Sequence, residues 1–567
     1  MNPFLKTYRL ALTPLSPIHI GCGEDFEPTN YVIDEGVLYG FDPSRAVLSE
    51  AQKSELKSAL ASNSLLSIQR FFKKHAKTFQ TLADVLIPVA TGVAQQYAEK
   101  VGKVANREGD GKEVFNKLAM ERAISTGAQQ QPFIPGSSFK GALRTSILDA
   151  INARRTPLNV EYKYARDGGK GEARSTAGME KTLLGGDFES SPLRLLKVSD
   201  LMPQLDVARR IQYAVNQKKR EVRDRNGVLV SAKGPTVRKE CVQPGQYRLF
   251  RGSIAVPNLE PHLGFSDRKG KRLTPATEIE LRRVALDTHK YHVERLNAEL
   301  NTLQQRGFVN PDWLAAVQQL LNGELKAKMS RGDAFLIRLG RYGGADSKTL
   351  SGEDVAHIKI MGAKRQPPTF EGTTKTVWLA AEHENDQKHL LPFGWAVVEI
   401  DPQGDLPQLK AWCEVQSKGR PDMTQLRQQF EADKQAAMQQ KAEQAAHAAQ
   451  RLEAKKADEL AAQQRAQALA SMSAQGQLIE ALRQKCENWA SKMPPHGNFK
   501  HQEANLAKAG LFQDANKLAA QALAEPQWSG HDKGALADML EQCLSKVVAP
   551  WGRDERKKLK ISALRGQ

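Results

Sequence analysis

Cysteine is scarce and scattered. Cys22, Cys241, Cys413, Cys486 and Cys543 are odd in number, far apart and without a Cys-x-x-Cys pair. Neither a disulfide framework nor a cysteine zinc site fits that spacing. No run of 18 or more apolar residues occurs, so no membrane span is expected. The segment before Gly21 carries Lys6 and Arg9 and has no apolar run of signal-peptide length, which makes the cytoplasm the expected compartment. Aromatics are only 6% of the chain, but with 40% hydrophobic residues over 567 positions they suffice for two or three folded units.

Acidic charge is also in short supply. Asp and Glu total 64 against 82 Lys and Arg, a net charge of +18. Such an excess favours a polyanionic partner, of which nucleic acid is the commonest, or else a generally solubilising basic surface.

Glycine and proline disappear altogether between Met423 and Gln475, where Ala, Gln, Glu and Lys dominate. A continuous helix there would run for about 80 Å. Met423, Leu426 and Phe430 keep helical spacing, but later apolar positions are mostly Ala, so an extended single helix or frayed linker is expected rather than a coiled coil. Helical patterning resumes over 477–491, 501–524 and 532–546, broken by Pro494-Pro495, Pro526 and Gly530. The chain end holds Arg553, Arg556, Lys557, Lys558, Lys560 and Arg565, either an RNA contact or a solvated tail.

Before residue 415 the pattern mixes strand-like runs (Tyr8 to Leu12, Tyr31 to Tyr39, Phe335 to Leu339, Trp395 to Ile400) with helical stretches at 49–72 and 278–306. That is an α+β pattern. Loops are expected at 162–181 and 217–240. The domain plan is therefore 1–415, a helical segment 416–476 and a small all-α domain 477–567.

Three glycine-bearing segments are candidates for chemistry. In FIPGSSFKGALRTSILDAI (133–151), Pro135-Gly136 turns the chain, Ser137 or Ser138 can cap, and Phe139, Leu143, Ile147 and Ile151 form an apolar stripe. Lys140 and Arg144 sit near the positive end of the helix dipole, a conflict that a bound phosphate resolves; the alternative is an ordinary capped helix with solvated cations. Gly136 and Gly141 have P-loop spacing, but Ala142 and Leu143 replace the Lys and Ser/Thr that ATP chemistry needs. Ser137-x-x-Lys140 lacks the companion motifs of a serine acyl-enzyme.

In SPIHIGCGEDFEP (16–28), Gly21 and Gly23 permit close backbone approach, but Phe26 occupies the third position of a dinucleotide fingerprint. His19 either contacts RNA, serves as a base or is structural. Glu24 and Asp25 read as turn residues. In FLIRLGRYGGADSKTL (335–350), Arg338, Gly340, Arg341, Tyr342, Gly343, Gly344, Ser347 and Lys348 interleave cations and an aromatic with glycines, as a single-stranded RNA surface or a plain surface hairpin would. A further basic cluster spans Arg209, Arg210, Lys218, Lys219, Arg220, Arg223, Arg225, Lys233, Arg238 and Lys239, with Tyr213 among them and few acids nearby in sequence. His289 and His292 have metal-compatible spacing without a third ligand, so no metal or other cofactor is expected.

Taken together and in this order, LTPLSPIHIGCGE (12–24), FIPGSSFKGALRT (133–145), RLGRYGGADSKT (338–349) and LPFGWAVVEI (391–400) resemble the RAMP superfamily of CRISPR proteins, and within it the terminal fifth-subunit family of type III-A (Csm) complexes. The resemblance covers roughly residues 5 to 400. It implies tandem RRM-like, ferredoxin-like domains with glycine-rich loops. It also implies a non-catalytic subunit that caps the backbone filament near the guide RNA 3′ end and aids guide maturation and target capture. The implied partners are guide (CRISPR) RNA, target RNA, the repeated backbone subunit and the small helical subunit, with no membrane. A rival within the superfamily is a metal-independent repeat-RNA endonuclease using His19 as base. The sequence after about residue 415 departs from the family pattern.

Overall fold

Two six-stranded sheets organise the first part of the chain. The structure, a computed structural model, describes residues 5–62, 64–107, 113–127, 130–155, 162–164, 170–173, 177–185, 191–228, 230, 236–257, 280–352, 355, 358–361, 367–492, 501–548 and 550–567. Their strands are β1 (Leu5–Pro14), β2 (Gly21–Phe26), β3 (Met120–Ala123), β4 (Lys197–Val198), β5 (Met202–Pro203), β6 (Arg209–Lys218), β7 (Val237–Val242), β8 (Phe250–Pro257), β9 (Ala334–Arg338), β10 (Thr376–Ala381), β11 (Leu391–Pro392) and β12 (Trp395–Ile400).

The first sheet has the order β4-β8-β1-β12-β9, with β5 also pairing β8, and each pairing is antiparallel. Its strands are apolar on both faces. Leu10 and Leu12 of β1, Ile254 of β8, Phe335 and Ile337 of β9, and Ala396 and Val398 of β12 share a core with Phe139, Leu143 and Ile147 of α1 (Gly136–Ala153) and with Leu281 and Val284 of α2 (Leu281–Gln305). The alternate residues Ala334, Leu336, Trp395 and Val397 share another with Trp313 and Val317 of α3 (Pro311–Asn322), Leu325 and Met329 of α4 (Glu324–Arg331), and Leu409 and Trp412 of α5 (Pro407–Ser417). The two-residue side-chain period of a strand produces this division, and each fully buried Leu, Phe or Val contributes roughly 1.5–3 kcal/mol.

The second sheet runs β2-β3-β7-β6-β10-β11, with β3 and β7 parallel and the other neighbours antiparallel. The parallel register places Lys239 opposite Glu121. β2 is bulged against β3 between Gly21 and Asp25.

Several elements differ from the sequence expectation. Tyr31 to Tyr39 is not one strand but a hairpin, Tyr31–Asp34 and Val37–Gly40, because Glu35 and Gly36 both take positive φ (45° and 75°), as a two-residue turn of the I′ kind requires. The expected 162–181 loop contains a short hairpin, Tyr162–Tyr164 with Lys170–Ala173, and the start of a helix at Ala177–Leu183. Residues 165–169, 174–176 and 231–235 of the two expected loops lie outside the described residues. The expected serine cap is also absent. Helix α1 opens at Gly136 with Pro135 as N-cap and no side-chain cap, and the Asp200 carboxylate accepts from the Gly136 N–H at 2.7 Å instead.

The chain forms two compact units, one ending at Gln435 and one beginning at Ala436. That boundary falls within α6 (Met423–Ala470), a 48-residue helix. In the first unit Met423, Leu426 and Phe430 pack against Val37, Ala83 and Leu86. In the second, α7 (Ala474–Ala490), α8 (His501–Ala524) and α9 (Gly530–Val547) enclose a core that includes Leu482, Cys486, Leu511, Trp528, Leu540 and Leu544. Pro494-Pro495 lie outside the described residues. Among the described residues no helix is long and apolar enough to cross a membrane, and no group of three or more His, Cys, Asp or Glu is placed to hold a metal ion.

Candidate nucleic-acid interface

The loop after β9 must turn sharply, since β9 ends at Arg338 against the β12 residue Trp395 and the chain then crosses to the second sheet. Gly340 makes this possible. Its φ is +78°, and a Cβ there would lie 2.3 Å from the His19 carbonyl oxygen. The same carbonyl accepts from the Arg341 N–H at 2.9 Å. Farther along, the Asp346 carboxylate receives the Lys219 ammonium at 2.6 Å and the Thr374 N–H at 2.9 Å. Burial alone would raise the Asp346 carboxyl, but Lys219 and Thr374 hold it below the usual range. The loop is pinned at both ends.

Between these pins Tyr342 takes φ +70°, a left-handed conformation uncommon outside glycine and frequent at functional sites. Its ring lies 5.2 Å from both Trp378 and Phe393, and the Lys239 ammonium is 5.3 Å from its centroid. Arg341, Tyr342, Gly343, Gly344, Ala345, Lys348 and Trp378 line an open groove of about 530 Å³. Arg341 and Lys348 are exposed, and Trp378 is half-buried. Arg341 donates one guanidinium N–H to Glu121 at 2.7 Å, leaving the rest of its fork for a ligand. Lys348 has no ion-pair partner among the described residues. Ser347 turns inward, its hydroxyl donating to the Gly344 carbonyl at 3.0 Å.

Glu121 ties the groove to the sheet. Besides Arg341, it pairs with the fully buried Lys239 and lies 3.4 Å from His19 Nε2. Burial pushes its carboxyl up, yet Lys239, Arg341 and His19 together bring it below its ordinary value. Burial lowers the Lys239 ammonium.

Several expected ligands are engaged elsewhere. Arg338 is 8% exposed, donates to the Phe393 carbonyl at 2.9 Å and to Glu299 at 2.8 Å, and lies over Trp395, so it is a core residue. His19 is fully buried, with Nδ1 2.7 Å from the Glu240 carbonyl, and burial lowers its pKa, so its ring is not presented to solvent as an RNA ligand or a base would be. Gly21 abuts the His19 ring, while Gly23, at φ +90°, sits in the exposed bulge. On α1, a Cβ at Gly136 would meet the Val198 and Ser199 carbonyls at 2.7 and 2.8 Å. Lys140 donates to the Leu196 carbonyl at 2.8 Å, and Arg144 pairs with Glu180. Ser137 and Gly141 are exposed and Ser138 half-buried.

The basic cluster 209–239 divides between paired cations and an exposed stretch at 220–228. Its acids come from distant parts of the chain: Arg209 pairs with Glu240, Arg210 with Glu382, Lys219 with Asp346 and Lys239 with Glu121, while Arg238 bonds Gln96 and Tyr213 is buried. Arg223 is exposed but bonds Glu221 and the Gly227 carbonyl, and Arg220 is exposed without an ion-pair partner among the described residues. Lys233 lies outside the described residues.

Sequence reasoning missed Trp378 and Glu121. The alternation Val377, Trp378, Leu379 in β10 puts Trp378 on the face opposite two buried aliphatics, a signal available in the sequence. Nothing local marks Glu121.

Residues 11–258 match the family model of the RAMP superfamily. That match spans less than half of the chain. It ends before β9 and β12, although β12 pairs directly with β1, so the first sheet draws on chain beyond the matched segment. A curated relative, the CRISPR system protein Csm5 of Methanocaldococcus jannaschii, is 24% identical over 193 residues, 33% of this chain and 40% of that protein. A chain in the cryo-EM structure of a type III-A Csm–crRNA–target RNA ternary complex is 15% identical, with a TM-score of 0.41, covering 70% of this chain and all of that one. The crystal structure of T. onnurineus Csm5 is 14% identical, with a TM-score of 0.30, covering 69% and 99%.

Proposed function

We propose that this RAMP protein is an RNA-binding, non-catalytic subunit of a type III-A CRISPR ribonucleoprotein. In this reading it caps the backbone filament near the 3′ end of the guide RNA and supports guide maturation and target RNA binding. Its two six-stranded sheets are read as tandem RRM-like units. Guide and target RNA, the repeated backbone subunit and the small helical subunit are its partners.

One observation carries the RNA assignment. The groove beside Gly340–Lys348 is lined together by the aromatics Trp378 and Tyr342 and by two exposed cations, Arg341 and Lys348. Aromatic faces stack bases and cations hold phosphates. The burial and lowered pKa of His19 speak against the endonuclease reading.

The test uses the full chain and a labelled single-stranded RNA. R341Q/K348Q is expected to weaken binding and to reduce the slope of log K against log salt by about 1.4, at about 0.7 per cation. Repeat RNA incubated with the protein in EDTA is expected to stay intact. Unchanged affinity and slope, or cleaved RNA, would overturn the proposal.

A further inference from the structure

The end of the helical unit concentrates exposed cations within one short stretch of chain. Arg483 pairs with Glu480 and Glu487 and Lys485 with Asp514, and within the terminal stretch Arg556 pairs with Glu541 and Arg565 with Asp538. Arg553, Lys557, Lys558 and Lys560 are exposed, and among the described residues none has an ion-pair partner. From Arg553 to Arg565 there are six basic residues against two acids, Asp554 and Glu555, and Glu555 is turned inward to accept from the Gly552 N–H at 3.1 Å.

The short helix Arg553–Lys558 is anchored from beneath. Glu555 and Leu559 are buried, as are Ile561 and Leu564 after them, and the last three join the core of α7 to α9. Four-residue spacing places Arg553 and Lys557 opposite the Glu555/Leu559 side. The cations are therefore presented by a packed element and not by a loose tail. Lys560 adds a second observation. It takes φ +52°, a left-handed conformation in which glycine is the unstrained residue. A lysine held there keeps a charge at the cost of backbone strain, as binding positions do.

We propose that Arg553, Lys557, Lys558 and Lys560 form a second single-stranded RNA contact, on the helical unit, that grips phosphates independently of sequence. The choice of RNA among polyanions rests on the function proposed above; the surface itself does not.

The experiment compares four full-length proteins: the parent, R341Q/K348Q, R553Q/K557Q/K558Q/K560Q and K560G. Each is titrated with fluorescein-labelled oligouridine over a series of salt concentrations, and its folding is checked by thermal melting. The quadruple variant is expected to melt like the parent, to bind roughly tenfold more weakly at low salt and to lose about 2.8 from the salt slope, at about 0.7 per cation. K560G is expected to melt higher yet bind more weakly, a combination that a purely structural lysine would not give. Parental affinity and slope in a folded quadruple variant would overturn the proposal. So would unchanged RNA binding together with lost binding to phosphatidylserine vesicles, which would reassign the surface to lipid. Loss in the quadruple variant with none in R341Q/K348Q supports this site and refutes the groove; the reverse pattern does the opposite.

Discussion

The segments 133–145 and 338–349 look alike as sequence, each with glycines set among cations and serines. In the folded chain they part company. At the first, Gly136 is pressed against the Val198 and Ser199 carbonyls, Asp200 takes its N–H, and Lys140 and Arg144 are spent on Leu196 and Glu180. At the second, the pins are at the ends, Gly340 on His19 and Asp346 on Lys219, and the middle stays open beside Trp378. The difference lies in the neighbours, which cover the first loop and fix only the ends of the second.

The sharpest way to break this comparison is by adding a single methyl group. Gly340→Ala would set a Cβ 2.3 Å from the His19 carbonyl at positive φ, and is expected to destabilise the first unit by about 3 kcal/mol or more in chemical denaturation. Gly136→Ala meets backbone oxygens without the φ penalty, for about 2 kcal/mol. Gly141→Ala, with open space around it, is expected to stabilise α1 by about 0.5–1 kcal/mol. Equal effects at all three positions would dissolve the distinction.

Next in size is Glu121→Gln. It leaves the buried Lys239 ammonium without its counter-charge, so a loss of about 2 kcal/mol is expected, with weaker RNA binding because Arg341 loses its tether. Glu121→Asp should restore part of both. If stability falls while RNA binding is untouched, Glu121 supports the sheet and not the groove.

Smaller still is the pH response. Burial lowers the pKa of His19, and that of the fully buried His292 well below the ordinary value. Each therefore holds its proton less readily folded than unfolded, so their contribution is complete above about 6.5, the ordinary histidine value, and fades as pH falls. Melting between pH 7.5 and 5 should show the loss, and His292→Phe should flatten it. The smallest expected effect is K140Q/R144Q on RNA binding, since both cations already have partners; a loss matching that of R341Q/K348Q would restore the helix start as the principal contact.

Much of the fold was legible. The short apolar runs of β1, β9 and β12 and the four-residue stripe of α1 are features that a local window captures. The hairpin at Tyr31–Gly40 was missed because its turn depends on Glu35 accepting positive φ, which propensity does not announce. The site was legible only in part. The loop Gly340–Lys348 stood out by its composition, but so did the cluster 209–239, of which Arg209, Arg210, Lys219 and Lys239 turned out to be paired with acids.

By itself the sequence determined the α+β class, the Gly- and Pro-free helix, the polyanion-seeking charge balance and the three glycine segments, because each is set by residues close together in the chain. Tertiary structure alone decided which cations stay free. Lys239 meets Glu121, Arg210 meets Glu382 and Arg338 meets Glu299 only through strand pairing and helix packing across long separations. A charge available to a ligand is one that folding has left unpaired, and no local window contains the partner that would cancel it.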